Sequence, residues 1–292
     1  MRIFVTGATG WIGRAVVTEL IANGHGVLGL TRSADKGHWL TEQGAQVLIG
    51  SLSDLATLKQ AVETVDAVAH IGFDHDFSRY AENAEQDARV IAALGAGLVG
   101  TDKPLVVSAT LSALVVHGRA ATEADLPVTR PSYPRRSEQA ARQLIGVRSA
   151  SIRLPHSVHG VGETHGFVPM LIDLAKRTGI SAYLADGENR WPAVHVGDAA
   201  RLYRLVLESG SAHPTYHAAD ENVAFRAIAE AIGRKLDLPI VPRDMDHFGW
   251  LAGFVGEDLT VSSVMTREVL GWRTDGPRLL ADIQDAGYYM GS

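Results

Sequence analysis

The chain has no cysteine among its 292 residues, which excludes disulfide bonds, thiolate metal sites and a cysteine nucleophile. It also lacks a basic excess, since 27 Lys and Arg stand against 33 Asp and Glu, and a net charge of −6 does not suit nucleic-acid binding. No apolar run is long enough for a membrane span, and the first predicted strand begins at Arg2. We therefore expect a cytoplasmic protein with no signal peptide and with neither a membrane nor a nucleic acid as partner.

A glycine-rich turn lies between an apolar strand at residues 2–5 and a helical pattern that begins near Ile12. Its glycines, Gly7, Gly10 and Gly13, follow the spacing G-x-x-G-x-x-G. In such a unit the first glycine permits a sharp turn, the second lets the backbone approach a pyrophosphate, and the third lets the helix pack closely. Because the free N–H groups of the helix start face the turn, this spacing predicts a dinucleotide site.

Strands and helices alternate through the first half of the sequence. The apolar runs are continuous, which is typical of strands buried on both faces of a parallel sheet. The pattern predicts further strands at 26–31, 46–50, 66–71, 104–108 and 150–154, with helices at 35–43, 54–64, 78–99 and 134–145. We therefore predict an α/β fold, a Rossmann-type doubly wound parallel sheet with a smaller, partly interleaved C-terminal substrate lobe.

Two regions follow from this pattern. Residues 1–160 are predicted to form the dinucleotide-binding Rossmann domain, with return segments near 190–210, and residues 161–292 to form mainly the substrate-binding lobe. In the second region the pattern predicts helices at 166–178, 198–208, 224–236 and 244–254, and short strands at 181–184, 193–196 and 215–218.

The end of the second predicted strand bears on the choice of dinucleotide. NAD-binding sheets usually carry Asp or Glu at that point, where it bonds the ribose 2′-hydroxyl. This chain has Arg32 there instead. Because a planar guanidinium suits a 2′-phosphate, we expect NADP(H) rather than NAD(H). Leu52, beyond the third strand, is expected to flank the adenine.

Three segments carry longer motifs, namely T-G-A-T-G-W-I-G at 6–13, R-L-P-H-S-V-H-G at 153–160 and R-W-P-A-V-H-V-G-D at 190–198. With them the chain resembles the short-chain dehydrogenase/reductase superfamily, in its extended, NAD-dependent epimerase/dehydratase-like branch. The resemblance covers essentially the whole chain and implies a nicotinamide dinucleotide cofactor. The implied cofactor-binding residues, besides Arg32 and Leu52, are Gly7, Thr9, Gly10, Trp11, Ile12, Gly13, Ile71, Gly72, Ala109, Tyr133, Pro155 and Val158.

The active-site motif departs from the pattern of these relatives. Active members carry Ser or Thr after the fifth strand, and then Tyr-x-x-x-Lys, whose lysine lowers the pKa of the tyrosine. The resemblance implies that Thr110 bonds the substrate oxygen and that Tyr133 transfers the proton, but Ser137 stands at the catalytic lysine position. Arg135 or Arg136 is a candidate for the missing positive charge. The chain is therefore similar to the atypical subgroups of this superfamily.

Other side chains are expected to contact the substrate. His156 and His159 follow the sixth strand, where loops should open onto the cofactor crevice. Arg190 stands where the sugar-nucleotide members of the branch bind a phosphate or ribose, and Trp191 makes that position bulkier and more apolar. We expect no metal site, because the sequence has no H-E-x-x-H motif and no comparable ligand spacing.

These observations lead to one main hypothesis and two alternatives. The main hypothesis is an NADP(H)-preferring oxidoreductase that transfers a hydride to or from a small carbonyl or alcohol. The alternatives are an NADP(H)-binding sensor or partner-binding protein without turnover, and a nucleotide-sugar-type epimerase or dehydratase. A homodimer is a further expectation, because the helices at 78–99 and 134–145 resemble those through which many relatives dimerise. Val90, Ile91, Leu94 and Leu98 could form one face there, although the same stripe would also pack on the sheet.

Overall fold

A computed structural model of the protein describes residues 1–114, 116–128 and 133–289. Strands and helices alternate up to residue 154, as the sequence pattern predicts. The elements of this part are β1 (Arg2–Thr6), α1 (Trp11–Ala22), β2 (Gly26–Thr31), α2 (Ala34–Glu42), β3 (Gln46–Ile49), α3 (Leu55–Glu63), β4 (Ala67–His70), α4 (Tyr80–Ala96), β5 (Pro104–Thr110), α5 (Ser137–Arg142) and β6 (Arg148–Leu154).

The later elements are shorter and more mixed. They are β7 (Ser157–His159), α6 (Phe167–Thr178), β8 (Ser181–Leu184), β9 (Arg190–His195), α7 (Val196–Glu208), β10 (Thr215–His217), β11 (Glu221–Ala224), α8 (Phe225–Leu236), β12 (Ile240–Arg243), α9 (Met245–Phe248), α10 (Ala252–Val255), α11 (Val264–Leu270) and α12 (Leu279–Gln284). The predicted helices at 166–178, 198–208 and 224–236 are confirmed by α6, α7 and α8.

The main sheet has seven strands in the order β10-β6-β5-β4-β1-β2-β3, and every neighbouring pair is parallel. The strand order reverses direction between β1 and β4, which is the place where open α/β sheets bind ligands. The predicted Rossmann-type fold is therefore confirmed. The seventh strand, β10, comes from the second half of the chain. The part of that half that joins the main sheet therefore extends beyond the predicted segment near 190–210.

Both faces of the main sheet are covered by helices. Ile3 and Val5 of β1 belong to one buried cluster, which includes α1 and α7, while Phe4 points to the opposite cluster with α3 and α4. This alternation follows from the two-residue period of a strand. Two small sheets, β11-β9-β7 and β12-β8, lie with a third cluster formed by the C-terminal helices.

The predicted helix at 134–145 is wrong in length, because α5 covers only Ser137–Arg142. Arg135 bonds the Ser108 carbonyl with its side chain, and Glu138 pairs with the buried Arg153. These long-range contacts fix where the helix starts, and a local periodicity does not show them. The predicted helix at 244–254 is likewise divided into α9, a 3₁₀ turn and α10.

The apolar stripe at residues 90–98, along α4 and just beyond its end, is fully buried. Val90, Ile91, Leu94 and Leu98 have no exposed surface and pack in the cluster between α4 and the sheet. The stripe therefore packs within the chain and supplies no dimer face, and the homodimer itself stays a prediction. Among the described helices, none combines the length and the apolar character that crossing a membrane requires.

Candidate active site

The turn after β1 has the geometry that its glycine spacing predicts. Gly7 has a φ of +67°, and a side chain there would lie 2.7 Å from the backbone of Gly72. A Cβ on Gly13 would lie 1.9 Å from the carbonyl oxygen of Gly7, so only glycine lets α1 begin this close to the turn. The N-terminus of α1 thus opens directly above the end of β1, where a phosphate would meet free N–H groups.

A cleft runs from this turn along the carboxyl edge of the sheet, with about 1400 Å³ of space that no protein atom fills, part of it open to solvent. The structure brings many of the predicted site residues together in its lining. These are Gly7, Gly10, Trp11, Ile12, Gly13, Ile71, Gly72, Ala109, Thr110, Tyr133, Pro155, His156 and Val158. Thr9, Arg32, Leu52, Ser137, His159, Arg190 and Trp191 do not belong to that lining.

Three of the residues outside the lining lie near the nucleotide end. Leu52 is close to the cleft, since its Cδ1 lies 3.3 Å from where a Cβ on Gly72 would stand. Arg32 follows the last residue of β2 and is exposed to solvent. Thr9 lies within the turn and accepts a hydrogen bond from Arg14 Nε through its carbonyl oxygen, at 3.2 Å.

Tyr133 is buried in the cleft wall beside two other hydroxyl groups. It is hydrogen-bonded to Thr110 and Tyr80, and the Tyr80 ring meets the Tyr133 ring edge to face at a centroid distance of 5.7 Å. Burial raises the pKa of Tyr133 above its ordinary value, although Arg135 and the two hydroxyl groups oppose this rise. Tyr133 is therefore a neutral phenol at physiological pH, suited to donating a proton.

Ser137 stands at the position where the resemblance implies a lysine. Ser137 donates a hydrogen bond from Oγ to Asp87 Oδ2 at 2.5 Å, and it accepts one from Arg135 Nε at 3.0 Å. Arg135 also donates from Nη2 to the Ser108 carbonyl at 3.1 Å, and its guanidinium lies 4.1 Å from the centre of the Phe73 ring. Ser137 therefore positions the guanidinium of Arg135, which lines the cleft.

A buried polar chain continues from Asp87 to the glycine turn. His70 approaches Asp87 Oδ1 with Nε2 at 3.0 Å and Thr6 Oγ1 with Nδ1 at 2.7 Å. Gly72 donates its N–H to the same Thr6 oxygen at 3.2 Å. Burial would raise the pKa of Asp87, but the hydrogen bonds and charges of His70 and Arg135 and the Ser137 hydroxyl hold it below its usual value. This series of hydrogen bonds links the end of β1 to Ser137 and Arg135.

Arg136 does not share the position of its neighbour. Its side chain pairs with Glu85 over 3.5 Å and is 42% exposed. Of the two arginines that the sequence offers as a replacement for the lysine, the structure places Arg135 in the cleft wall beside Tyr133.

The two predicted substrate histidines differ in placement. His156 lines the cleft, its ring stacks on Trp191 at 4.9 Å, and its Nε2 lies 2.7 Å from Glu257 Oε2. His159 is instead buried behind the cleft, where its Nδ1 lies 2.6 Å from Asp282 Oδ2. The expectation that His159 contacts substrate does not match this position, because the carboxylate of α12 draws the ring into the protein interior.

Arg190 and Trp191 also lie outside the cleft lining. Arg190 is exposed at the start of β9 and donates to the Asn222 carbonyl at 3.2 Å, because β9 pairs antiparallel with β11. Trp191 is fully buried behind His156, with its indole N–H bonded to the Phe254 carbonyl at 3.1 Å. Trp191 therefore shapes the cleft through His156 and does not line it.

Sequence reasoning missed several side chains of the cleft. Phe73, Phe77, Tyr80 and Phe254 all line it, as does the buried Glu163. Burial raises the pKa of Glu163 to about 8, partly opposed by a hydrogen bond from Tyr288. Phe73, Phe77 and Tyr80 follow β4, so their nearness to the carboxyl edge of the sheet was the available signal.

The residues present fit a nicotinamide dinucleotide. Three glycines leave space beside a helix N-terminus, and a continuous cleft leads from there to Thr110, Tyr133 and Arg135. This arrangement provides a phosphate cradle at one end and a proton donor at the other. Among the described residues, no group of three or more His, Asp or Glu side chains is arranged to hold a metal ion.

Comparisons with known proteins agree with this geometry. A model of the family described as "NAD dependent epimerase/dehydratase family" matches residues 3–100. An uncharacterized protein of Schizosaccharomyces pombe is 42% identical over 99% of this chain and 100% of its own length. A Stigmatella aurantiaca enzyme, 4-hydroxy-2-methyl-3-oxo-4-farnesyl-3,4-dihydroquinoline-1-oxide ketoreductase, is 28% identical over 75% of this chain and 68% of its own.

A solved structure shows the same fold at low sequence identity. It is the dTDP-glucose 4,6-dehydratase DesIV from Streptomyces venezuelae with NAD and TYD bound. The TM-score is 0.79 and the identity 18%, over 99% of this chain and 96% of the other. At this identity the likeness concerns the arrangement of strands and helices.

Proposed function

We propose that this chain, which belongs to the NAD dependent epimerase/dehydratase family, is an NADP(H)-preferring reductase of a small carbonyl compound. The observation that carries this proposal is the buried, neutral Tyr133 beside Thr110 and Arg135, in the same cleft as the glycine turn. A ketoreductase among the relatives supports the same class of reaction.

Several residues of the cleft would each have a separate role in such a reduction. Thr110 and Tyr133 bond the carbonyl oxygen and orient it. The dinucleotide, when bound, supplies the hydride that the carbonyl carbon accepts. Tyr133 gives its phenolic proton to the oxygen, which becomes the hydroxyl of the product. Arg135 stabilises the negative charge left on Tyr133, to which Tyr80 is hydrogen-bonded, and the phenolate regains its proton from solvent before the next turnover.

The pKa of Tyr133 bears on the pH at which each direction of the reaction runs. A phenol whose pKa lies above its ordinary value of about 10 is almost wholly protonated near neutral pH. It is then ready to donate a proton, whereas the oxidation of an alcohol needs the rare phenolate. Carbonyl reduction should therefore proceed near neutral pH, and alcohol oxidation should need alkaline pH.

Substitution of the two hydroxyl groups tests the reaction. Tyr133→Phe and Thr110→Ala should each reduce kcat for carbonyl reduction, by about 100-fold for the tyrosine, since acid catalysis contributes roughly that much. NADPH affinity should change little in both variants. If NADPH binds and no carbonyl compound is ever reduced by the unaltered protein, a binding protein without turnover replaces the reductase.

The NADP(H) preference rests on Arg32. Arg32 is exposed immediately after β2, where its guanidinium could pair with the 2′-phosphate of a bound NADPH. NADPH and NADH are titrated against the protein and against Arg32→Ala by nicotinamide fluorescence, with the exposed Arg177→Ala as the matched control. Arg32→Ala should weaken NADPH binding by about tenfold, the value of one charge-assisted hydrogen bond, and leave NADH unaffected. Equal affinity for the two dinucleotides in the unaltered protein would remove the preference.

A further inference from the structure

The substrate end of the cleft is walled by aromatic rings from separate segments of the chain. Phe73, Phe77 and Tyr80 come from the segment between β4 and α4, Phe167 begins α6, and Phe254 lies in α10. We call these five residues the aromatic chamber. The chamber adjoins Thr110 and Tyr133 in the same cleft, so a substrate held by these hydroxyl groups would extend into it.

The rings of the chamber contact one another across these segments. Phe167 and Phe254 have a centroid distance of 4.6 Å, and Phe77 lies 5.7 Å from Phe254. Phe77 also stacks on Trp250 at 5.2 Å with an interplanar angle of 29°. Trp250 is 55% exposed and stands outside the cleft lining, so Phe77 is supported from the solvent side by a second ring.

The chamber has little charge to offer a ligand. Of the described residues that line the cleft, Arg135 carries a guanidinium and Glu163 a carboxyl group. Three histidines, His75, His156 and His165, also line it, and burial lowers the pKa of His75 to about 4, so that its ring is neutral near pH 7. The guanidinium of Arg135 is already engaged by Ser137 and by the Ser108 carbonyl. Glu163 is mostly protonated near neutral pH, because burial raises its pKa to about 8. A phosphate or carboxylate would lose its hydration here and would meet a guanidinium whose Nε and Nη2 already bond Ser137 and the Ser108 carbonyl, which disfavours its binding.

We propose that the chamber selects a flat, uncharged carbonyl compound, with the carbonyl group conjugated to an aromatic ring. This proposal deepens the proposed reductase function and rests on it. A flat ring can lie against Phe77 or meet Phe167 edge to face, as aromatic pairs prefer. A saturated ring of the same size fills the volume but lacks this geometry, and each favourable pair would give a preference of about two- to tenfold.

Three ketones of similar size separate shape from charge. They are acetophenone, cyclohexyl methyl ketone and 4-acetylbenzoate. The first measurement is binding to the complex with NADP⁺ by calorimetry, which needs no turnover, and the second is kcat/KM with NADPH. Acetophenone should exceed the saturated ketone by about twofold or more in both measurements, and 4-acetylbenzoate should bind most weakly.

Substitutions test whether the aromatic chamber causes the preference for acetophenone over cyclohexyl methyl ketone. Phe77→Leu and Trp250→Leu should lower the ratio of acetophenone to cyclohexyl methyl ketone toward one, with NADPH affinity retained. Trp39→Leu is the matched control, because Trp39 is partly exposed and lies outside the cleft lining, beside Arg14. That variant should keep the full ratio.

The outcomes distinguish the two proposals. Aromatic preference in binding without reduction of any ketone would support the chamber and overturn the reductase. Reduction of both neutral ketones at equal kcat/KM and with equal affinity would support the reductase and overturn the chamber. A ratio that survives both Phe77→Leu and Trp250→Leu would also overturn it.

Discussion

Ser137 and Asp87 are joined by a hydrogen bond of 2.5 Å, although they lie 50 positions apart in the sequence. The same Ser137 hydroxyl also accepts a hydrogen bond from Arg135 Nε. Ser137, at the position where the resemblance implies a lysine, thus holds a neighbouring guanidinium. Arg135 thereby places a positive charge near Tyr133.

We expect Arg135→Gln to shift the pH dependence of alcohol oxidation without disturbing cofactor affinity. Loss of the guanidinium removes an effect that lowers the pKa of Tyr133, so this pKa would rise further above its usual value. Alcohol oxidation with NADP⁺ needs the phenolate, and its kcat/KM should fall about tenfold for each unit by which the pKa rises. The measurement is the pH profile of oxidation from pH 7 to 10, which should move to higher pH.

Arg136→Gln is the control for that experiment. It removes the same charge from the next residue, which is exposed and pairs with Glu85. Its profile should match that of the unaltered protein. Equal shifts in the two variants would mean that overall charge, and not the placement of Arg135, sets the profile.

Asp87 should make the free energy of unfolding fall at acidic pH. Its pKa is lowered in the folded state, so the stability it contributes is present above its unfolded pKa of about 4 and is lost as the pH falls through the folded value. Asp87→Asn should therefore lower the free energy of unfolding at pH 7 by about 3 kcal/mol and flatten its acid dependence. Urea unfolding between pH 2 and pH 7 measures both effects.

Asp54→Asn provides the comparison. Asp54 is the exposed N-cap of α3 and accepts from the Thr57 N–H at 3.1 Å, a task that asparagine performs equally well. This variant should unfold almost like the unaltered protein at pH 7. A loss as large as that of Asp87→Asn would contradict a special role for the buried carboxylate.

The sequence predicts local features of this protein better than distant ones. The turn at Gly7, Gly10 and Gly13 was predictable because its requirements concern adjacent backbone atoms. The start of α5 was not, since it depends on Arg135 reaching the Ser108 carbonyl.

The same reason explains the site residues. Thr110 and Tyr133 were placed through motifs, whereas Phe77 and Phe254 meet only in the folded chain. Arg190 lies outside the cleft lining and bonds the Asn222 carbonyl, and the pairing of β9 with β11 that brings the two together cannot be read from the strand itself.

Gly13→Ala should abolish dinucleotide binding. Its Cβ would lie 1.9 Å from the Gly7 carbonyl oxygen, a backbone atom that can move only if the turn opens. Gly26→Ala is the matched control, because the nearest atom to a Cβ there is 3.9 Å away. NADPH titration by fluorescence should show no saturable binding for the first variant and unchanged affinity for the second. Retained affinity in Gly13→Ala would mean that α1 tolerates a shift away from the turn.

Glu163 should make stability fall between weakly acidic and weakly alkaline pH, the opposite of Asp87. Its pKa rises from 4.5 to about 8 on folding, mainly through burial, so the folded state holds a proton that the unfolded chain has released. Below the unfolded pKa both states are protonated and nothing is lost. Between the two values the free energy of unfolding falls by about 1.4 kcal/mol per pH unit, and above the folded pKa the loss is constant.

Glu163→Gln should remove this dependence while still accepting the hydrogen bond from Tyr288. Urea unfolding of both proteins from pH 5 to pH 9 gives the difference, in which the contributions of all other titrating groups cancel. The variant should gain stability relative to the unaltered protein as the pH rises, and the difference should level off above about pH 8. Parallel curves over the whole range would show that Glu163 is already ionised in the folded protein. In that case the cleft would hold a negative charge beside the aromatic chamber at neutral pH.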